Sequence, residues 1–195
     1  MPMIRECIVT TLNEEGRVHI APLGLIAEPL VADGEGWIIA PFRPSATLDN
    51  LRATPFAVVN LTDDVLVFAG CLTGKRDWPT HPAAHISGAV LDGALTHLEL
   101  EVESVEEDEL RPRFHCRLVH QGVHKPFEGF NRAQAAVIEA AILTSRLHML
   151  PRDKIERELA YLQIAVEKTA GPREHEAWRL LVEKIEDHFK HAPQG

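Results

Sequence analysis

The sequence predicts a mainly β amino-terminal part followed by an α-helical carboxyl-terminal segment of three helices, and three observations carry that division. From Cys7 to Asn60 the apolar residues come in short, β-branched runs separated by Gly, Pro and Asn. Leu98-Glu99-Leu100-Glu101-Val102-Glu103 alternates with period two, the pattern of a strand with one face buried and the other presenting carboxylates. From Asn131 onward the apolar spacing becomes that of amphipathic helices. Residues 1–128 are therefore expected to form the β domain and 129–195 the helical one.

In chain order, Cys7 to Leu12 is a strand, Asn13-Glu14-Glu15-Gly16 a hairpin turn, and Arg17 to Ala27 a second strand. Gly34 and Gly36 turn the chain into Trp37-Ile38-Ile39-Ala40, which Pro41 and Pro44 end, because proline donates nothing to a ladder. Ser45 is an N-cap for a short helix from Ala46 to Ala53. Phe56 to Asn60 is an apolar strand, whereas periodicity leaves VLVFAG after Thr62 open between helix and strand. Residues 70–90 form a long polar excursion, of the length that usually carries function or some structure of its own. Phe114 to Val119 is a strand to partner Leu98–Glu103. Asn131, with Gln134 three residues on, suggests a capping box opening a helix that runs to about Met149. Pro151 opens a second helix with Ile155, Leu159, Leu162 and Val166 on one stripe, and Gly171-Pro172 stops it. A third helix aligns Trp178, Leu181, Val182, Ile185 and Phe189.

Composition narrows the function classes. The chain has 195 residues, is 45% hydrophobic and carries a net charge of −9, with no basic run. That balance argues against nucleic acid and against anionic membranes as partners. A phosphate ligand survives the argument, provided that a local cluster of arginines holds it. Three widely spaced cysteines without a CxxC suit a reducing compartment, and no apolar run approaches the length of a signal peptide or membrane span, so a cytoplasmic location is expected.

The segment that carries chemistry is RPSATLDNLRATPFAVVN, from Arg43 to Asn60. Ser45 and Thr47 set hydroxyls beside the unpaired amides of a helix N-terminus, where the macrodipole favours an anion. Asn50 follows Thr47 by three residues and shares its face. Arg43, just upstream, supplies a guanidinium fork suited to phosphate. Taken alone, a Ser before a helix is more often a plain cap than a ligand site.

These residues resemble the flavin-reductase-like FMN-binding split barrels, in which a Ser-containing loop precedes Thr-x-x-Asn-Leu and then a strand of Phe…Val-Asn type. Here the elements read Ser45, Thr47-Leu48-Asp49-Asn50-Leu51 and Phe56-Ala57-Val58-Val59-Asn60. His19-Ile20-Ala21-Pro22-Leu23-Gly24 resembles that family's flavin-edge strand, and His97 to Val102 its barrel strand after a long excursion. More narrowly, the whole chain is similar to archaeal and bacterial proteins in which the split barrel is followed by a helical tail opening near Gly129-Phe130-Asn131-Arg132-Ala133. The resemblance implies a split β-barrel, FMN as cofactor, phosphate contacts from Ser45, Thr47 and Asn50, and flavin contacts from His19, Ala21, Pro22, Gly24 and the region of Asn60. It also implies a homodimer with FMN at the interface, where Arg132 either reaches the partner's phosphate or is merely solvated. The reaction class implied is hydride transfer through FMN N5, with NAD(P)H or a deazaflavin as donor and the acceptor open. The alternatives are a non-enzymatic flavin carrier and a split barrel holding another cofactor such as haem.

Other signals are weaker. Gly70-x-x-x-Gly74-Lys75 is one residue short of a phosphate-binding P-loop, with Arg76 where a Ser or Thr belongs. His81 and His85 have helical ligand spacing, but Pro79 and Pro82 oppose a helix and no third ligand is evident. His115, Cys116, His120 and His124 have mixed strand parity and are not expected to converge, so no metal site is expected. Glu101 and Glu103 are read as solvated. His19 is the one candidate for a proton-transferring side chain. There is no GxGxxG and no serine-hydrolase arrangement.

Overall fold

Residues 3–31 and 34–191 are described by the computed structural model of the chain. They fall into two units, one of residues 1–62 and 77–127, the other of residues 63–76 and 128–195.

The first unit is a closed six-stranded barrel. Its strands are β1 (Ile4–Leu12), β2 (Val18–Val31), β3 (Gly34–Ile39), β4 (Phe56–Leu61), β7 (Thr96–Glu106) and β8 (Arg113–Val123), in the order β1-β2-β3-β8-β7-β4. Every pairing is antiparallel. The β1–β2 hairpin turns where expected: Asn13 Oδ1 accepts from the amides of Glu15 and Arg17 at 3.1 and 2.8 Å, and Gly16 supplies the positive φ of 76°. The link from β2 to β3 falls on residues 32 and 33, outside those described, and Gly34 and Gly36 lie within β3 and not in a turn before it.

Inward residues of all six strands fill the barrel, among them Cys7, Val9, Leu25, Ile39, Val59, Leu98, Leu100 and Phe114. Helix α1 (Ala46–Ala53) links β3 to β4 and adds Leu48 and Leu51 to this core. Each such side chain contributes about 1.5–3 kcal/mol of burial, which fixes the helix against the strands.

The same registers set two rows across the outer wall. Ile8 pairs with Asn60, Asn60 with His97 and His97 with Gly122; Thr10 pairs with Val58, Val58 with Glu99 and Glu99 with His120. The excursion covers these rows. It is structured, as its length suggested, with β5 (Thr80–Pro82) and β6 (Ala89–Leu91) forming a two-stranded sheet of their own.

The second unit is helical: α2 (Val65–Thr73), α3 (Arg132–Ser145), α4 (Arg152–Thr169) and α5 (Pro172–His191). The undecided segment VLVFAG is helix α2, and Val65 to Gly70 are all buried. A helix apolar on every side has no solvent face to give it a period, which is why periodicity was silent. Helix α2 packs with α3 and α5. Its cap Asp64 accepts from the Leu66 amide at 3.2 Å and is gripped by Arg173 of α5, whose Nε donates at 3.0 Å. Gly74, at φ 107°, ends α2 by donating its amide to Gly70, so the P-loop look-alike is a helix terminus.

Helix α3 begins as expected, with Asn131 Oδ1 accepting from Ala133 and Gln134 at 2.8 and 3.3 Å. The reciprocal half of the capping box is replaced, because the Gln134 side chain donates to Glu174 instead, at 3.3 Å. The helix also stops at Ser145, short of Met149. Thr144 and Ser145 turn their hydroxyls back on the carbonyls of Ala140 and Ile142 at 2.8 Å each, competing with helix continuation. The stripes of α4 and α5 bury Ile155, Val166, Leu181 and Ile185 as expected. No helix among the described residues is long and apolar enough to cross a membrane.

Candidate functional site

Helix α1 organises the predicted site. Ser45 is its N-cap, with Oγ accepting from the Leu48 amide at 3.3 Å, which leaves the first-turn amides without intrahelical acceptors. Thr47 and Asn50 share the buried side of the helix. Asn50 Nδ2 donates to Thr11 Oγ1 at 3.0 Å, tying α1 to the end of β1. Thr54, which follows the helix, makes the same tie through its hydroxyl to Leu12 O at 2.7 Å. Upstream, Arg43 holds Glu107 at 3.0 Å, and Arg52, from the last turn of α1, holds the same carboxylate at 2.7 Å. Two guanidinium groups thus share one carboxylate beside the helix. Sequence reasoning found Arg43 and missed Arg52, whose helical spacing gave no hint that Glu107 would draw the two together.

His19 lies opposite Thr11 on β2, and Ala21 opposite Val9, both at inward positions; Pro22 and Gly24 alternate to the outer side. The four residues of the expected flavin-edge strand are therefore split between two faces. Arg132 opens α3 in the helical unit and is exposed.

Asn60 has a different office from the ligand contact suggested for its region. It is wholly buried, and its Nδ2 donates to Ile8 O at 3.1 Å and to Val58 O and Thr10 Oγ1 at 3.3 Å. Its Oδ1 accepts from the Leu91 amide at 2.8 Å. With Thr10, which donates to Ala89 O, it fastens β6 onto the barrel wall.

Glu99 fastens the preceding stretch of the excursion. The alternating strand was expected to present its carboxylates to solvent; Glu101 and Glu103 do so, in surface pairs with Arg117, whereas Glu99 is fully buried. The reason is the covering loop: Glu99 Oε1 accepts from Ala84 N at 2.9 Å, and Oε2 from His85 N and Ile86 N at 2.8 and 3.0 Å. Burial by itself raises the carboxyl, but these three amides together with His97 outweigh it and hold Glu99 below the usual carboxylate range.

His97, His120, His124 and His85 gather around Glu99, which corrects the expectation for His120 and His124. Cys116 stays in the barrel core, and His115 lies apart against Glu106. The β7–β8 register shifts between Glu99 and Leu100: Leu100 pairs with Leu118 but Glu99 with His120, leaving Val119 as an extra residue. That bulge moves His120 off the inward face of Cys116 and Leu118 and sets it beside Glu99 and His97. His97 is buried, with Nδ1 at 2.8 Å from His124 Nε2 and Nε2 at 3.4 Å from Glu99 Oε1. Its ring lies stacked on that of His124 at 4.9 Å, and His85 lies 4.2 Å from His120. His81, on β5, meets the edge of His124 at 6.0 Å and pairs with Asp92 at 2.7 Å. Burial, with His124 and His120 nearby, depresses His97 below the ordinary histidine range against the pull of Glu99, so the ring is neutral near pH 7.

Comparison with known proteins places this geometry. The models of the two DUF447 domains, both described as protein of unknown function, match residues 5–125 and 131–183. An FMN-bound DUF447 protein from Methanosarcina mazei is 20% identical, with a TM-score of 0.77 over 94% of this chain and 96% of that one. The 2-nitrobenzoate 2-nitroreductase of Pseudomonas fluorescens is 19% identical over 64% of this chain and 66% of its own, with a TM-score of 0.53. The styrene monooxygenase flavin reductase of Pseudomonas putida S12 is 18% identical over 62% and 81%, with a TM-score of 0.52. The barrel has the split-barrel fold of these flavin-associated proteins, and the chain belongs to the DUF447 family.

Proposed function

We propose that the chain binds FMN at α1 and works as a flavin-dependent oxidoreductase. The observation that carries the reading is the capped N-terminus of α1, with Ser45 at its opening and Arg43 just upstream, drawn to the same carboxylate as Arg52 of the last turn. These donors fit a phosphate monoester, which a helix N-terminus and guanidinium forks bind in combination. The FMN bound by the Methanosarcina mazei protein, of the same family and fold, supports the choice of ligand.

Bound FMN supplies hydride chemistry at its N5, and the protein supplies binding and orientation. In this reading Ser45 and the first-turn amides of α1 hold the phosphate, and Arg43 and Arg52 neutralise it. Thr47 and Asn50, on one side of the helix, add contacts to the phosphate, with Asn50 steadied by Thr11. Ala21, Pro22 and Gly24 offer β2 main chain to the ring system, and His19, at an inward position opposite Thr11, is the group to hold or deliver a proton. A homodimer, with Arg132 reaching the partner's phosphate, completes the reading.

The test is the absorption spectrum of freshly purified protein and chromatography of the ligand that heating releases. A flavin spectrum with about one FMN per chain is expected. A colourless protein that takes up no added FMN overturns the proposal. Thr47→Ala with Asn50→Ala should lose FMN on dialysis, and full retention would move the phosphate elsewhere. Anaerobic NADH or NADPH should bleach the oxidised band near ~450 nm; a holoprotein that neither bleaches is a flavin carrier.

A further inference from the structure

We infer that Glu99, His97 and His120 form a binding site for a divalent first-row transition-metal ion on the outer wall of the barrel, with His124 orienting His97. The site shares no residue with α1 or its arginines.

One ligand atom from each of the three residues lies within 4.8 Å of the others. His97 Nε2 and Glu99 Oε1 are 3.4 Å apart, close to the ~3.3–3.4 Å edge of a tetrahedron with metal–ligand bonds of about 2.0–2.1 Å. His120 is half-buried, its ring packed on His85 at 4.2 Å and 5.8 Å from that of His97, and a side-chain adjustment about χ1 is what closure on an ion requires of it. The opposite nitrogen of His97 completes the arrangement. Metal-bound imidazoles pass their other N–H to an acceptor that fixes ring and tautomer, and His97 Nδ1 already faces His124 Nε2 at 2.8 Å.

The backbone is shaped to this ring. Gly122 stands directly across from His97, and a Cβ there would come within 2.3 Å of the ring's Cε1. Any side chain at 122 drives the imidazole out of place. A clamp on the Ala84–Ile86 amides needs only an acceptor, and the two imidazoles and the bare glycine wall beside it are unexplained by that duty. Nor does the duty exhaust Glu99: a carboxylate offers about four acceptor directions, and the one toward His97 is the one a cation would take.

Two imidazoles and one carboxylate select a borderline ion such as zinc, cobalt, nickel or ferrous iron over magnesium or calcium, which prefer oxygen ligands throughout. Three protein ligands leave at least one position open. His85, exposed and against His120, marks the solvent side from which water or a small oxygen- or nitrogen-donor ligand would enter.

The experiment uses full-length protein stripped with EDTA and dialysed against Co²⁺, with metal per chain read by mass spectrometry and coordination by the visible ligand-field bands. Saturable uptake of one Co²⁺ per chain is expected, competed by Zn²⁺. Expected losses of affinity are ~100-fold or more in His97→Ala and His120→Ala, and ~10–100-fold in His124→Ala and Gly122→Ala. His148→Ala, on the helical unit, serves as the unaffected control. Circular dichroism checks that each variant is folded; should His97→Ala fail, the half-buried His120→Ala decides. Absence of saturable uptake, or uptake unchanged in folded His120→Ala, overturns the site.

Discussion

Cys7 shows how one buried side chain ties stability to pH. It is fully buried on β1, its Sγ donating to Leu23 O at 3.1 Å, and its pKa is pushed up to about 12 from an ordinary 9.0, first by burial and then by the charge of Glu6. Between those values the unfolded chain gives up the thiol proton while the folded one keeps it, so stability falls as pH rises through the window. The contribution is intact below pH 9 and declines by up to about 1.4 kcal/mol per pH unit above it. Denaturant titrations at pH 8, 9 and 10 should show this slope, and Cys7→Ala should flatten it at some cost in core packing. A slope unchanged by the substitution would assign it to other groups. At this scale the sequence disclosed Ser45, Thr47 and Asn50 as one face of a capped helix, because their spacing is local. It concealed the burial of Glu99, whose cover arrives from residues 84–86 and leaves no trace in the period-two strand around it.

The excursion is the element whose behaviour is easiest to predict. Glu99 holds three consecutive amides, and hydrogen bonds to a charged acceptor are worth about 1.5–3 kcal/mol each. In Glu99→Ala the amides of Ala84, His85 and Ile86 should exchange with deuterium at least ~100-fold faster. Those of β6, held separately by Asn60 and Thr10, should be little changed. Equal acceleration of both segments would mean that the excursion opens as one unit and not in two latched stretches. Elements were legible where they carried punctuation: Asn13 to Gly16, Ser45 and Gly171-Pro172 all mark true boundaries. The bulge at Val119 carried none. One unpaired residue there reverses the facing of His120, so arithmetic on strand parity scattered a group of histidines that the fold assembles.

Across the whole molecule, the change from β to helical pattern near residue 130 was plain in the sequence, while the membership of α2 was not. Its six buried residues belong with α3 and α5, although it is encoded between two barrel strands. A chain ending at residue 128 would keep every barrel strand and present Val65, Leu66, Val67 and Phe68 with none of their helical partners. Such a fragment should aggregate or bind a hydrophobic dye strongly, while the full chain does neither. A fragment that stays monomeric and binds no dye would show that α2 finds adequate cover elsewhere.

The same interleaving sets a schedule during synthesis. Helix α2 leaves the ribosome soon after β4, but α3 and α5 follow only when the excursion, β7 and β8 have been made. For that interval an apolar helix waits, and the barrel closes around a chain that still has an unfinished hydrophobic segment hanging from it. The second half of the protein is in this sense the late-arriving custodian of a piece of the first, and slowing translation after β8 should lengthen the time for which chaperones hold the nascent chain.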